Sequence, residues 1–266
     1  MKEQILSYLS PQCPWGDHLH YYPSIDSTNT RAKAMAAAGA PHGTVLIADS
    51  QTAGRGRLGR SFLSPAGSGI YMTVILRPHC RPDGLMHLTC AAAVAMCGAI
   101  ESVAGLRPGI KWINDLVIGK RKVAGILTEL SVDPASGLAQ YAVVGIGINC
   151  SQRQADFPEE LREVATSLAL AAGEPIDRPR LAAAMIEAFW QMDGSLLAGR
   201  TAIMARYREN CMTLGRAVSV HHFDTVRHGT ALDIAEDGAL LVRFSDGHTE
   251  AVNAGEVSVR GMYGYV

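Results

Sequence analysis

The chain has 266 residues, of which 48% are hydrophobic, and its formal net charge at pH 7 is -1. These values are typical of a globular protein with one large core and a small second domain, so they exclude the disordered and fibrous classes. Because the net charge is close to zero, no global positive field would attract nucleic acid or a membrane surface. Anion binding would instead need local basic clusters.

The cysteines and the apolar runs predict a cytoplasmic protein without a membrane partner. The six cysteines show neither a Cys-x-x-Cys pair nor the spacing of a disulfide framework, so reduced thiols are expected. Residues 1–10 lack the features of a secretory signal. The longest mainly apolar run, Leu88–Ile100, is shorter than the roughly 20 residues that cross a bilayer.

The first part of the chain is predicted to mix helices and strands. Ser27, Thr28 or Asn29 can cap the first helix, and Gly39 can end it. The predicted elements are, in chain order, helix Thr30–Ala38, strands Thr44–Ala48 and Ile70–Leu76, helix Leu85–Ala104, strands Ile110–Trp112, Leu116–Ile118, Val123–Leu130 and Tyr141–Ile148, and helix Arg178–Leu197. The last of these strands contains glycines, which favours a central position that a ligand approaches closely.

The last part of the chain is predicted to be a small all-β unit. Its β segments are Ala217–His221, Gly229–Ile234, Ala239–Phe244 and Glu250–Ala254. The pairs Asp237-Gly238 and Asp246-Gly247 lie between such segments, and Asp-Gly pairs are strong signals of hairpin turns. We therefore expect two domains, residues 1–213 and residues 214–266.

The segment Gln51–Arg60 carries the strongest chemical signal, because it interleaves three glycines with three arginines. Glycine lets backbone N–H groups reach an anion, and guanidinium groups stay charged at any working pH. The spacing differs from that of the Walker and Rossmann phosphate loops. The pattern favours a clamp for phosphate or carboxylate over the alternative, a solvated basic loop.

Two further motifs contain residues that suit a nucleotide site. Lys111–Asp115 ends in an amide and an acid, and the cations of Lys120–Ile126 follow one hairpin later, which would suit a metal-bound polyphosphate. Gly145–Asn149 is a glycine-containing strand that ends in asparagine. Each motif alone has a structural alternative, because Asn and Asp are common turn formers and lysines often lie at exposed hairpin tips.

Together these motifs resemble those of the biotin protein ligases, and they occur in the chain order of that family. The resemblance covers about Tyr21–Val259, and the residues that carry it are Ser27-Thr28-Asn29, Gly54-Arg55-Gly56-Arg57-Leu58-Gly59-Arg60, Lys111-Trp112-Ile113-Asn114-Asp115, Lys122-Val123-Ala124-Gly125-Ile126 and Gly145-Ile146-Gly147-Ile148-Asn149. It implies an α+β fold with a mixed, mainly antiparallel sheet covered by helices, like that of class II synthetases. A small C-terminal SH3-like β-barrel would follow this domain.

The resemblance also implies an activity and roles for individual residues. The activity is that of an ATP-dependent ligase, which makes biotinyl-5′-AMP and passes biotin to a lysine of the biotin carboxyl carrier domain of a carboxylase. Lys122, Asp115 and Arg55 match catalytic positions of the family. The residues that match biotin-binding or ATP-binding positions are Ser27, Thr28, Asn29, Gln51, Gly54, Arg55, Gly56, Arg57, Lys111, Trp112, Asn114, Lys122, Gly125 and Asn149. Mg²⁺ is expected to arrive with the nucleotide, and the sequence assigns no protein side chain as its ligand.

Three residues depart from the family pattern. Ile113 stands where proline is common, Phe62 where several members have tryptophan, and Leu58 where a basic residue is frequent. Phe62 keeps an aromatic ring for stacking, and Leu58 lowers the charge of the loop by one. Since a loop of glycine and arginine buries little apolar surface, we expect it to be mobile without ligand and to order over the adenylate.

Other functions, of the same class and of different classes, are less compatible with these motifs. A lipoate ligase or octanoyltransferase shares the broad fold but is not expected to combine the Gly-Arg segment with the C-terminal β unit. A catalytically silent biotin-binding regulator would not need both Lys122 and Asp115. About twenty residues precede Tyr21, too few for a helix-turn-helix domain, so we expect the monofunctional type without a DNA-binding domain or a nucleic-acid partner. A homodimer stays possible.

Overall fold

The structure is a computed structural model that describes residues 1–222, 225–253 and 258–261. Its α-helices are α1 (Lys2–Tyr8), α2 (Thr28–Ala37), α3 (Leu88–Ala104), α4 (Leu168–Ala172), α5 (Arg178–Ser195) and α6 (Arg200–Asn210). Its strands are β1 (Leu19–Tyr22), β2 (Thr44–Ala48), β3 (Gly69–Leu76), β4 (Gly109–Lys111), β5 (Asp115–Ile118), β6 (Arg121–Val132), β7 (Ala139–Asn149), β8 (Ala217–His222), β9 (Thr225–Ile234), β10 (Leu240–Phe244), β11 (Thr249–Val252) and β12 (Ser258–Gly261).

A seven-stranded sheet forms the centre of the first part of the chain, in the order β1-β2-β3-β7-β6-β5-β4. Its strands β1 and β2 are parallel, and the other neighbouring pairs are antiparallel. Strand β7 lies in the middle, where Gly145 pairs with Thr73 of β3 and with Leu127 of β6. The predicted α+β class is confirmed, as is the central position of the glycine-containing strand.

Helices cover both faces of this sheet. Successive side chains of a strand point to opposite faces, so one strand contributes to two apolar layers. In β2, Val45 and Ile47 belong to the large core that includes residues of α3 and α5, whereas Leu46 belongs to a smaller cluster with Ala32 and Ala36 of α2. This arrangement fixes α2 against the sheet with its N-terminus at the edge of the cleft described below.

Helix α3 is a core helix, although its composition would also suit a membrane span. The stretch Pro82–Ala104 has 23 residues, and its most apolar window of 18 residues has a mean hydropathy of 1.4, so it is long and apolar enough to cross a bilayer by length and composition. The apolar run Leu88–Ile100 within it is shorter than the roughly 20 residues that cross a bilayer. In the fold, 67% of the most apolar window is buried inside the protein, and the helix packs against α5 and α6. It begins at Leu88, because Pro82–Leu85 forms a separate 3-10 turn and His87 takes the N-cap position.

The C-terminal strands form a second, fully antiparallel sheet in the order β11-β10-β9-β8-β12. The predicted Asp-Gly turns connect β9 to β10 and β10 to β11, and their glycines, Gly238 and Gly247, have φ values of 90° and 88°. Ala254, the predicted end of the last β segment, lies outside the described residues. The domain limits 1–213 and 214–266 stay a prediction.

Hydrogen bonds near Met212 join the two sheets. The Met212 N–H donates to the Ile110 carbonyl at 2.8 Å. The Trp112 N–H donates to Thr213 Oγ1 at 2.9 Å, and its indole Nε1 donates to the Gly238 carbonyl at 2.9 Å. Trp112 is only 4% exposed, so its ring and both of its N–H groups fix the second sheet against the end of β4.

Candidate active site

A cleft with a volume of about 130 Å³ brings together most of the predicted site residues. It lies between the N-terminus of α2, strands β5 to β7 and the segment Gly54–Arg60, which we call the Gly-Arg loop. The predicted residues that line it are Ser27, Thr28, Asn29, Gln51, Arg55, Gly56, Arg57, Asn114, Asp115, Lys122 and Gly125. Residues that are far apart in the chain therefore form a single wall.

Trp112 and Asn149 do not line this cleft. Trp112 contacts the C-terminal sheet, as described above. Asn149 ends β7, and its Nδ2 donates to the Thr166 carbonyl at 3.0 Å while its Oδ1 accepts from Gln152 Nε2 at 3.3 Å. These bonds fix the chain that follows β7. The side chain of Asn149 therefore binds neighbouring parts of the protein and does not reach the cleft.

Gly54 and Lys111 also lie outside the lining of the cleft. Gly54 lies at the base of the Gly-Arg loop, where its carbonyl accepts from the Phe62 N–H at 2.9 Å. A Cβ at Gly54 would lie 2.4 Å from the Phe62 carbonyl oxygen, which explains the need for glycine. Lys111 is the last residue of β4 and pairs in register with Asp115 of β5.

The N-terminus of α2 forms the polar end of the cleft. Ser27 has an extended backbone, and its hydroxyl caps the helix by accepting from the Thr30 N–H at 3.4 Å. Thr28 donates to Gln51 Oε1 from its N–H at 2.9 Å and from its hydroxyl at 3.0 Å. Gln51 Nε2 in turn donates to Ser64 Oγ at 2.9 Å. Such a partly buried set of hydroxyl and amide groups suits a ligand with a compact polar head.

Glycines of β6 and β7 form the floor of the cleft. A Cβ at Gly145 would lie 1.9 Å from Asn29 Oδ1, and a Cβ at Gly147 would lie 2.5 Å from the Phe62 ring. A Cβ at Gly125 would lie 3.0 Å from Lys122 Nζ and 3.4 Å from the same ring. The side chains of Asn29 and Phe62 therefore rest directly on the backbone of the central strands, which explains the glycines of the two motifs.

Cations and an acid converge on one wall of the cleft. Lys122 Nζ lies 2.6 Å from Asp115 Oδ1, and the two side chains are 26% and 16% exposed. Asn114 Nδ2 donates to Asp115 Oδ1 at 3.2 Å, and Arg57 Nη1 donates to Asn114 Oδ1 at 3.0 Å. Burial lowers the pKa of Arg57 from its ordinary value, and the Asp115 carboxylate opposes that shift. Both basic groups are thus held beside a partly shielded space where an anion can bind.

The Gly-Arg loop is folded as a tight hairpin beside the cleft. The Gly56 N–H donates to the Arg60 carbonyl at 2.7 Å, and Arg55 forms an antiparallel bridge with Ser61. Leu58 lies at the tip with φ 54°, a left-handed conformation that is uncommon for a residue with a side chain, and it is 57% exposed. The expected mobility of the loop without ligand stays a prediction.

Sequence reasoning missed two polar residues beside the cleft, Glu129 and Thr73. Glu129 of β6 accepts from Lys33 Nζ at 2.7 Å, from Asn29 Nδ2 at 3.0 Å and from Arg55 Nη1 at 3.1 Å. Burial alone would raise the pKa of Glu129, but these hydrogen bonds and positive charges hold it below its ordinary value. Thr73 is fully buried, with Oγ1 2.7 Å from Asn29 Oδ1. The signal for both was a polar side chain inside a mainly apolar central strand.

Cys150, which follows β7 directly, does not have the properties of a nucleophile. Its side chain is fully buried, and burial raises its pKa to about 12. A reactive cysteine needs an accessible thiolate at neutral pH. The thiol is therefore an apolar part of the core.

Two family models match the chain. The model of the biotin/lipoate A/B protein ligase family matches residues 21–149. The model of the biotin protein ligase C-terminal domain matches residues 213–260. The first match covers the residues of the cleft from Ser27 to Gly147, and the second covers most of the C-terminal sheet.

Relatives and solved structures agree with these matches. The chain is 37% identical to the bifunctional ligase/repressor BirA of Bacillus subtilis over 87% of this chain and 71% of that protein. It is 34% identical to the biotin--[acetyl-CoA-carboxylase] ligase of Mycobacterium tuberculosis, over 87% of this chain and 85% of that protein. The Aquifex aeolicus biotin protein ligase, solved in complex with biotin and ATP, has a TM-score of 0.78 at 29% identity, covering 92% of this chain and 99% of that chain. The chain belongs to the biotin protein ligase family.

Proposed function

We propose that this protein activates biotin with ATP to form biotinyl-5′-AMP and then transfers biotin to a lysine of a biotin carboxyl carrier domain, with release of AMP. The observation that carries this proposal is one cleft with a polar end at Thr28 and Gln51 and a cationic wall at Lys122 and Arg57. A biotin head group would bind the polar end. Its carboxylate would then reach the nucleotide beside the cations.

In the first half-reaction, an oxygen of the biotin carboxylate attacks the α-phosphorus of ATP, and pyrophosphate leaves. Arg55, Arg57 and Lys122 would offset the negative charge that spreads over the phosphoryl oxygens. The pairing of Lys122 with Asp115 holds its ammonium group at the cleft wall before the substrates bind. This prior placement lowers the reorganisation needed when the charge develops.

Magnesium would enter this reaction with the nucleotide. Mg²⁺ prefers oxygen ligands in octahedral geometry and usually binds substrate phosphates together with one or two carboxylates. In the part of the chain that the structure describes, no group of three or more His, Cys, Asp or Glu side chains forms a metal cluster. Asp115 lines the cleft and is the carboxylate placed to contact such an ion, although Lys122 already occupies one of its oxygens.

In the second half-reaction, the amine of the acceptor lysine attacks the carbonyl carbon of the adenylate, and AMP leaves. We assign Asp115 to orienting this amine and accepting a proton from it. The carboxylate suits that task because Asn114 and Lys122 fix its position by hydrogen bonding. Lys122 would stabilise the departing phosphate.

Reduced cysteines fit a protein that works in the cytoplasm, where ATP and carboxylases are present. The six cysteines are free thiols, and those at 13, 90, 97, 150 and 211 are buried. We expect the carrier domain of a carboxylase to be the protein partner. Homodimer formation and the lack of nucleic-acid binding stay predictions.

Mass spectrometry of an acceptor domain tests the proposed function. After incubation of the enzyme with ATP, biotin and a carrier domain, the domain should gain one biotinyl group on a single lysine. The same reaction with lipoate or octanoate in place of biotin should leave the domain unmodified. Acylation by lipoate or octanoate without biotinylation would instead support the acyltransferase alternative.

Replacement of Arg57 by alanine should let the adenylate escape. Arg57 reaches from the Gly-Arg loop to Asn114, so its removal takes away one of the bonds that tie the loop to the cleft wall. We expect bound biotinyl-5′-AMP to dissociate about tenfold faster, as fits the loss of one charge-assisted hydrogen bond. Release is measured by rapid filtration, with Arg121→Ala as a control for an exposed arginine. Equal retention in Arg57→Ala and wild type would show that this arginine does not help to close the site.

A further inference from the structure

We propose that Glu129 is a positioning residue, whose carboxylate anchors the Gly-Arg loop through Arg55 and couples the loop to the polar end of the cleft through Asn29. The inference rests on the proposed function, since it concerns the closing of the same site. It assigns a role to a residue outside the motifs that identify the family in this sequence.

The Glu129 carboxylate joins three donors from different parts of the chain. Arg55 Nη1 lies 3.1 Å from Oε1 and 3.3 Å from Oε2, and Lys33 Nζ lies 2.7 Å from Oε1. Asn29 Nδ2 donates to Oε2 at 3.0 Å. Glu129 is 21% exposed at its side chain, less than either of the cations that it binds. The ion pair with Arg55 is therefore partly shielded from water, which strengthens it relative to an exposed pair.

From Asn29 the hydrogen bonds continue to the polar end of the cleft. Asn29 Oδ1 lies 2.7 Å from Thr73 Oγ1, and Thr73 Oγ1 lies 2.8 Å from Thr28 Oγ1. Asn29 is 4% exposed and rests on Gly145, so it has no room to move away from these partners. A ligand that binds at Thr28 would therefore contact the same hydrogen-bond network that includes the Glu129 carboxylate.

The network then returns to Phe62, two residues after the Gly-Arg loop. Thr28 donates to Gln51, Gln51 donates to Ser64 Oγ at 2.9 Å, and Ser64 Oγ donates to the Phe62 carbonyl at 2.9 Å. One connected set of hydrogen bonds thereby holds Arg55, near the start of the loop, and Phe62, just after its end. Chains of buried hydrogen bonds of this kind polarise one another and fix a single arrangement.

The chemistry of this position requires a carboxylate. An ionised Glu offers only acceptors, and here it receives three donors, from Asn29, Lys33 and Arg55. The isosteric amide of Glu129→Gln has a single acceptor oxygen and presents an NH₂ group to at least one of those donors. The substitution keeps the shape of the side chain but should release Arg55 or turn Asn29 away from it.

Limited digestion by trypsin tests the anchor without any ligand. Of the three arginines in the Gly-Arg loop, Arg57 and Arg60 remain in every variant used. Trypsin can cut after them only when the hairpin opens, so the rate of cleavage at these two sites reports the opened population. Glu129→Gln should raise cleavage in the loop about fivefold to tenfold, as fits the loss of one partly buried charge-assisted bond. The matched control is Glu101→Gln. Glu101 lies on α3 and forms an exposed ion pair with Arg107, so this substitution should leave loop cleavage unchanged.

A double-mutant cycle separates positioning from a general loss of stability. If Glu129 acts through Arg55, then Glu129→Gln should change loop cleavage by less than about twofold in an Arg55→Ala background. Since Arg55 is 43% exposed, Arg55→Ala should itself fold and should raise loop cleavage as Glu129→Gln does. This second variant keeps the proposal testable even if the Glu129 variant is poorly folded.

A second measurement extends the test to the reaction. In Glu129→Gln the rate of biotinyl-5′-AMP release should rise about fivefold, and the KM for biotin should rise while kcat of pyrophosphate exchange changes less. Wild-type loop cleavage in both Glu129→Gln and Arg55→Ala, or independent effects in the double mutant, would overturn the proposal. Absence of biotin-dependent exchange in the wild-type protein would refute the proposed function, and the digestion results would still decide on the anchor.

Discussion

Replacement of Lys122 by alanine should reduce biotin-dependent ATP-pyrophosphate exchange by roughly a hundredfold to a thousandfold, the cost of removing one preorganised charge donor from a transition state. The physical reason is the position of its ammonium group, which is 26% exposed at the cleft wall and 2.6 Å from the Asp115 carboxylate. Among the residues that the structure describes, no other lysine lines the cleft. A lost ammonium group would therefore leave the α-phosphate without this stabilising charge.

The control for this experiment is Lys120→Ala, which removes an exposed lysine at the turn between β5 and β6. That variant should keep exchange within about twofold of wild type, as is usual for a surface substitution. Circular dichroism should show that both variants are folded. Near-normal exchange in Lys122→Ala would contradict the role assigned to Lys122, whatever the binding affinity for biotin.

Replacement of Gly145 by alanine should both destabilise the protein and weaken biotin binding. The added Cβ would lie 1.9 Å from Asn29 Oδ1, and Asn29 is buried in hydrogen bonds with Thr73, Glu129 and the Leu127 carbonyl. The side chain must move and break some of these bonds. We expect a loss of about 1–3 kcal/mol in the free energy of unfolding, typical of an overpacked core, and an increase of about tenfold or more in the Kd for biotin.

Gly194→Ala is the matched control, because a Cβ at this position in α5 meets no atom within 4 Å. Alanine raises stability by about 0.5–1 kcal/mol relative to glycine in a helix interior, so in the last turn of α5 we expect a gain of no more than this amount. Urea unfolding and calorimetric titration with biotin measure both quantities. Wild-type stability in Gly145→Ala would show that α2 can move away from the sheet without cost. That result would contradict the tight packing of Asn29 on Gly145.

The elements that the sequence predicted correctly are those with a strong local signal. Strand Thr44–Ala48 is a short apolar run with matching bounds, and the two Asp-Gly pairs formed the expected turns in the C-terminal sheet. Helix α6, Arg200–Asn210, was missed because most of its residues are polar, and only Ile203, Met204 and Tyr207 are buried. Its position depends on packing against α3, which is not encoded in its own periodicity.

The lining of the cleft was predictable where close contacts within the cleft require particular residue types in a motif. The glycines of β7 and the residues of the Gly-Arg loop follow from close contacts within the cleft, so their pattern is visible in the sequence. Trp112 lies beside site residues in the chain, yet its N–H groups bond to Thr213 and Gly238. The contribution of Glu129 was hidden, since its partners Asn29 and Arg55 come from distant parts of the chain and meet only after folding.

A crystal structure with a non-hydrolysable analogue of biotinyl-5′-AMP tests the central claim most directly. We expect the biotin head group near Thr28 and Gln51, the phosphate within hydrogen-bond distance of Lys122 Nζ, and the Gly-Arg loop folded over the anhydride position. Density for the analogue outside this cleft, with the loop turned away from it, would contradict the account.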